Sequence, residues 1–189
     1  MQKQITQNKQ WKSFIIEFIQ MALIALAIVV PIRYFLIQPF YVKGASMEPN
    51  FHNHEYLIIN KIIYRLNNPE RGDVIVFKYP KSPNDYFIKR IIGLPEERVK
   101  ILNKEITIYN KDNPEGKIFD ENKFLPEEYK IEKNIDITLN KDEYFVLGDN
   151  RAHSFDSSAE GFGPLERKFI IGKTWIRAWP FNKFTIFEK

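Results

Sequence analysis

The chain has 189 residues, a formal net charge of +4 from 28 basic and 24 acidic side chains, 44% hydrophobic residues and no cysteine. That length allows one domain with a small appendage. The missing cysteines exclude disulfides, thiol catalysis and cysteine-ligated zinc, and the mild, dispersed basic excess argues against nucleic acid as a partner.

Residues 14–30 read FIIEFIQMALIALAIVV and run on into PIRYFLIQPF; before Arg33 only Glu17 and Gln20 interrupt the apolar character. A membrane-spanning helix needs roughly 20 such residues, and 14–32 supplies them. Lys3, Lys9 and Lys12 precede the span, and no acidic residue does. By the positive-inside bias the N-terminus stays in the cytoplasm, with Trp11 and Tyr34 as interfacial anchors. Glu17 lies about a turn inside, where it can reach water. A cleaved signal sequence shares the basic start and apolar middle, and Ala25-Leu26-Ala27 resembles a cleavage site. Apolar residues nevertheless continue straight past it, where a polar mature chain should begin. A helix buried in a soluble core is the remaining alternative. The expected organisation is a cytoplasmic tail over 1–11, a transmembrane helix over 12–36 and an extracytoplasmic domain over 37–189. That makes a single-pass plasma-membrane protein.

Just past the span comes VKGASMEPNF, residues 42–51, with Ser46 among small residues and Pro49 close behind. Gly, Ser, Pro and Asn make turns. A serine left accessible on such a turn also suits a nucleophile. His52 and His54 follow, but no third ligand stands at metal-site spacing, so no metal or other cofactor is expected.

After Pro39 the helical period disappears. YLIIN (56–60), DVIVFKY (73–79), DYFIKRIIG (85–93), RVKIL (98–102), EITIY (105–109), DITL (136–139), EYFVLG (143–148) and TWIRAWP (174–180) are short runs rich in β-branched and aromatic residues, separated by turn formers. They predict a mainly β fold, a coiled antiparallel, barrel-like sheet behind one N-terminal helix. The polar stretch within 103–140 reads as an excursion or small lobe.

Lys89 stands mid-strand in one of these runs. Alternation places Phe87, Lys89 and Ile91 on one face and Ile88, Arg90 and Ile92 on the other. A lysine among large hydrophobes loses water and becomes a candidate neutral base for Ser46. On this strand alone the commoner reading is an edge lysine whose ammonium reaches solvent. The rival base is His153, near Asp149 and Asp156. Those residues lie in LGDNRAHSFDSSAEGFGP, 147–164, a polar loop that also offers Ser154 as a hydroxyl able to hold an amine.

Together GASMEP, YFIKRIIGLP and GDNRAHSFDS, in this order behind one span, resemble the bacterial type I signal peptidases. The likeness runs from QPFYVKG through GFGPL to IIGKTWIRAWPF. It implies a membrane-bound serine–lysine endopeptidase, without a cofactor, that removes signal peptides from exported preproteins after small residues at the lipid bilayer. It further implies Ser46 as nucleophile, Lys89 as general base, Ser154 as the hydroxyl orienting the lysine, and Asp149 and Asp156 as support for the loop. Phe40, Val42, Gly44, Val76, Phe87 and Ile88 match the substrate pockets. Ser158 stands where the family often has an arginine, so the ion pair expected at Asp156 is absent or rebuilt, with Arg151 as a candidate partner. Pro95-Glu96-Glu97 replaces the usual Pro-Gly-Asp, so a different turn is expected there. Gly44 replaces a serine that some members use near the oxyanion, leaving that task to the Ser46 N–H.

Two other functions fit parts of the pattern. A self-cleaving Ser–Lys regulator of the SOS-repressor type shares a related β fold and a Ser-Met motif, but the span argues against it. A membrane-tethered, non-catalytic β-domain that binds a partner would make Ser46 a turn residue only.

Overall fold

The computed structural model describes residues 2–31 and 36–187, and within the first helix the side chains of Trp11 and of residues 14–31. The side chains of Lys3, Lys9 and Lys12, and the whole of Ile32, Arg33 and Tyr34, lie outside the described residues. The chain divides into two compact units, Met1–Gln38 and Pro39–Lys189. The first is built on helix α1, Gln2–Pro31, which begins inside the stretch assigned to a tail. Its segment Phe14–Pro31 is long and apolar enough to cross a membrane, with a mean hydropathy of 2.4.

The second unit is built mainly on antiparallel strand pairs. In chain order the strands are β1 (Ile37–Tyr41), β2 (Tyr56–Asn60), β3 (Val74–Tyr79), β4 (Ser82–Gly93), β5 (Arg98–Leu102), β6 (Glu105–Asn110), β7 (Asn113–Ile118), β8 (Ile135–Thr138), β9 (Glu143–Leu147), β10 (Leu165–Glu166), β11 (Ile170–Trp179) and β12 (Thr185–Ile186). A short helix α2 (Ile63–Leu66) follows β2. One sheet has the order β1-β2-β11-β3-β4-β9-β10, with β12 paired to β11. The path stays open, so the expected antiparallel sheet is present but no barrel closes among the described residues. The other sheet, β7-β6-β5-β8, begins at Arg98 and takes in most of the stretch 103–140. There β7 forms from NPEGKI, whose polar composition hides its strand character. It is held by pairing with β6, so neighbours override a weak local preference.

Strand β3 shows why its run is continuously apolar. Val74 and Val76 join a cluster with Val42, Met47, Phe51, Leu57 and Ile59, while Ile75 and Phe77 join Ile91, Tyr144, Val146 and Leu165 on the other side. A strand buried on both faces has no polar face to alternate with. Strand β4 pairs with β3 along 82–90 and with β9 along 90–93, and it carries Lys89 into the middle of this doubly covered sheet. A third cluster, which includes Ile92, Val99, Ile106, Ile131 and Phe145, joins the second sheet to the end of β4.

Candidate active site

Ser46 sits on a turn built by its neighbours. The Val42 N–H donates to Glu55 O at 2.9 Å, and the Gly44 N–H donates to Asn53 Oδ1 at 3.1 Å. Gly44 has φ +93°, a conformation in which a side chain would be strained. Met47 is buried in the cluster beneath and anchors the turn, while Ser46 itself is half-buried. The hydroxyl is therefore fixed from below and open from above.

Lys89 arrives from β4. It pairs across the sheet with Ile75, as Phe87 pairs with Phe77, on the face that alternation assigns to it. It is only 3% exposed. Its Nζ lies 2.9 Å from Ser46 Oγ and donates to Ile88 O at 2.9 Å, with the Phe87 ring centroid 5.4 Å away. Loss of water brings its pKa down to about 8, against the opposing pull of the Asp156 and Asp149 charges. An edge lysine snorkelling to solvent is not what this sequence builds.

The loop after β9 closes over the pair. Gly148 is required by close approach: a Cβ there would stand 2.2 Å from Ser154 Oγ and 2.4 Å from Ser46 O. The Asn150 N–H donates to Ser46 O at 3.0 Å, and its side-chain amide donates to Ala45 O at 3.2 Å. Asp149, fully buried, accepts from Arg90 Nε and Nη2 at 2.8 and 2.6 Å and from Asn50 Nδ2 at 2.9 Å. Asp156 accepts from the Gly148 N–H at 2.8 Å, the Ser158 N–H at 3.0 Å and the Ser158 hydroxyl at 2.7 Å. Ser154 packs on Gly148 with its Oγ buried and without a hydrogen bond among the described residues.

One expectation needs correcting, and one departure can be described. Arg151 does not reach Asp156; it pairs with Glu121 and donates to Gly148 O at 2.9 Å. Ser158 itself replaces the missing ion pair with an N–H and a hydroxyl. At the second position, Glu96 stands where the resemblance leads one to expect glycine, yet it takes the left-handed conformation glycine favours, φ 65°. Glu97 beside it binds Arg71 and the Leu94 N–H.

A cavity of about 640 Å³ runs past Ser46 and Lys89, lined also by Phe40, Val42, Gly44, Val76, Phe87 and Ile88. His153 lines it as well, but it is exposed and its ring makes no hydrogen bond among the described residues. His54 is engaged by Tyr41 and Asn53, away from the serine. Arg90, Asn150, Asn50 and Glu121 were not legible as site residues. Only Arg90 carried a signal, a cation mid-strand among hydrophobes that needs a buried carboxylate.

A family model described as signal peptidase, peptidase S26, matches residues 15–179. A probable signal peptidase I-2 of a Synechocystis species is 38% identical over 162 residues, covering 82% of this chain and 69% of that protein. Signal peptidase I P of Bacillus subtilis subsp. natto is 35% identical over 185 residues, covering 93% and 95%. Signal peptidase IB of Staphylococcus aureus is 33% identical over 183 residues, covering 92% and 94%.

Proposed function

We infer the chemistry of the site from one premise: the chain belongs to the signal peptidase family, peptidase S26, as the match over residues 15–179 shows. It is a serine protease of the type that cleaves signal peptides from preproteins. Within that activity Ser46 is the nucleophile and Lys89 the general base. The observation that carries this assignment is an amine without a carboxylate partner among the described residues, buried and 2.9 Å from a serine hydroxyl. Neutral Nζ takes the Ser46 proton as Oγ bonds to the scissile carbonyl carbon. The resulting ammonium then returns that proton to the leaving amine as the peptide bond breaks. Water repeats the cycle on the acyl-enzyme, with Lys89 again the base. The Ser46 N–H, which no described residue engages, is the donor for the oxyanion. Ser154, buried beside the pair, is the hydroxyl that holds Lys89 once substrate has displaced water.

The wall of Phe40, Val42, Val76 and Ile88 leaves room for small side chains before the cut. One or two extra methylenes are worth about 1–3 kcal/mol of discrimination in such pockets. The decisive experiment is cleavage of a model preprotein by detergent-solubilised protein, with the cut mapped by mass. Ser46→Ala and Lys89→Ala should each abolish it while the circular dichroism is unchanged. Cleavage that survives either substitution, or that vanishes in His153→Ala, overturns the assignment.

The same reading extends to the bilayer. Residues 14–31 of α1 cross it, the lysines before them remain in the cytoplasm, and the Pro39–Lys189 unit works outside. Trp179, Phe181, Phe184 and Ile186 are exposed, Phe181 by 75%, a composition suited to the headgroup level. Brominated lipid should quench Trp179 fluorescence in protein whose Trp11 and Trp175 are replaced by Phe. Unquenched emission would remove the bilayer contact from this reading.

A further inference from the structure

The second sheet reaches back into the loop that frames Ser46. The segment joining β7 to β8 contains Glu121, 4% exposed, which forms an ion pair with the buried Arg151. The Glu121 carbonyl accepts the N–H groups of Phe124 and Leu125 at 3.0 and 2.8 Å, closing a turn that the buried Leu125 anchors. At its tip the Phe124 carbonyl accepts from Asn50 Nδ2 at 2.9 Å, and the Phe124 ring lies 4.1 Å from the Arg90 guanidinium. Each contact leads one step on to the site. Arg151 holds Gly148 O, and Gly148 packs against both Ser154 and Ser46. Asn50 and Arg90 both hold Asp149, the next residue of the same loop.

A buried ion pair between the β7–β8 segment and the loop after β9 is a weak source of stability, because desolvation offsets most of its attraction. Apolar residues of similar size would fasten the lobe as well. What they would not supply is direction: a guanidinium fixed at one end by a carboxylate, and at the other by the carbonyl of the glycine under Ser154. We propose that Glu121, with Phe124, is a positioning residue for the protease. The turn at 121–125 sets the loop 148–154 over Ser46 and Lys89, and so fixes their approach and keeps the lysine dry. The second sheet is then part of the catalytic apparatus without touching substrate.

The proposal rests on the Ser46–Lys89 assignment, and the test separates the two. Full-length protein in detergent is assayed on a model preprotein as Glu121→Gln, Glu121→Ala and Phe124→Leu, for kcat, KM, melting temperature and the pH profile. Gln keeps the shape and removes the charge. The expected result for Glu121→Gln is a kcat lower by about tenfold to a hundredfold, the scale of a small misplacement of reacting groups, with KM within about twofold. The acid limb of the profile should move to higher pH as Lys89 gains water. The charged groups acting on Lys89, Asp149 and Asp156, are untouched by the substitution, as is His153 on the cavity wall. Glu121→Asp should recover part of the rate. A Glu121→Gln protein with parental kcat and pH profile, even with a lower melting temperature, overturns the proposal. If Glu121→Ala does not fold, Glu121→Gln and Phe124→Leu decide. Cleavage that survives Ser46→Ala sinks both readings, whereas an inactive Ser46→Ala beside an unaltered Glu121→Gln sinks this one alone.

Discussion

Lys89 and Arg90 are neighbours on one strand, both buried, and their surroundings are opposite. Arg90 is answered on every side: two contacts to Asp149, a bond to Gly72 O at 2.9 Å, and the Phe124 ring beneath. Among the described residues the Lys89 amine hydrogen-bonds only to a hydroxyl and a carbonyl, beside the Phe87 ring, and the Asp156 and Asp149 carboxylates act on it through space. Alternation along β4 makes this possible, since adjacent side chains leave the strand on opposite faces. Burial alone therefore does not decide what a charge is for. Compensated, it holds structure together; uncompensated, it gives up its proton and becomes reactive.

The largest expected effect tests that distinction at its reactive half. Lys89→Arg keeps a cation and a long stem, but a guanidinium stays protonated at every working pH. Single-turnover cleavage should fall by about 10²–10⁴-fold, the usual worth of a general base. Retention of activity within about tenfold of the parent rate would mean that Lys89 serves as a positive charge and not as a base. At the structural half, Asp149→Ala strands Arg90 without its partner. The expected loss is about 3–5 kcal/mol in urea unfolding, and Arg90→Met added to Asp149→Ala should recover most of it.

Much of this was legible in the sequence, for reasons that differ by region. The strands around the site have both faces buried or strict alternation, so YLIIN and DVIVFKY announce themselves within a residue or so of where β2 and β3 fall; RVKIL does the same for β5 in the second sheet. The Ser46 turn and Lys89 carry chemistry in their residue types. In the second sheet β5, β6 and β8 were legible in the same way, but β7 and the segment that follows it were not. NPEGKI becomes β7 only because β6 offers it a partner, and Glu121 looks like any acid in a polar stretch until its distant contact with Arg151 is known. Pairings between residues far apart in sequence leave no periodic trace. Arg151 illustrates the limit: charge suggested Asp156 as its partner, but geometry gave it Glu121.

The next test is thermodynamic. Lys89 titrates near 8 in the fold and near 10.5 unfolded. Between those values the unfolded chain binds more protons, so stability rises with pH across that window. Below about 8 both states are protonated and the fold carries the full penalty, on the order of 3 kcal/mol for a shift of this size. Lys89→Met should therefore be more stable than the parent at neutral pH by up to about that amount, and the rise above pH 8 should disappear. Equal stability of the two proteins from pH 7 to 10 would contradict the burial argument.

The smallest effect concerns Asp156, the stronger of the two carboxylates that oppose the loss of the Lys89 proton. In this chain Asp156 is held by neutral donors, the N–H of Gly148 and the N–H and hydroxyl of Ser158. Its charge is thus left largely free to act on the lysine, unlike that of Asp149, which Arg90 takes up. Ser158→Arg would place a cation beside Asp156 and make the two carboxylates alike. With Asp156 neutralised, the ammonium form of Lys89 loses support, and the acid limb of the cleavage profile should move to lower pH. Ser158→Ala should leave the limb where it is and cost about 1.5–3 kcal/mol through the lost hydrogen bond to a charged group. Parallel pH–rate profiles of the two variants make the measurement. A limb that does not move in Ser158→Arg, or that moves to higher pH, would show that Asp156 governs the loop's shape and not the charge state of the base.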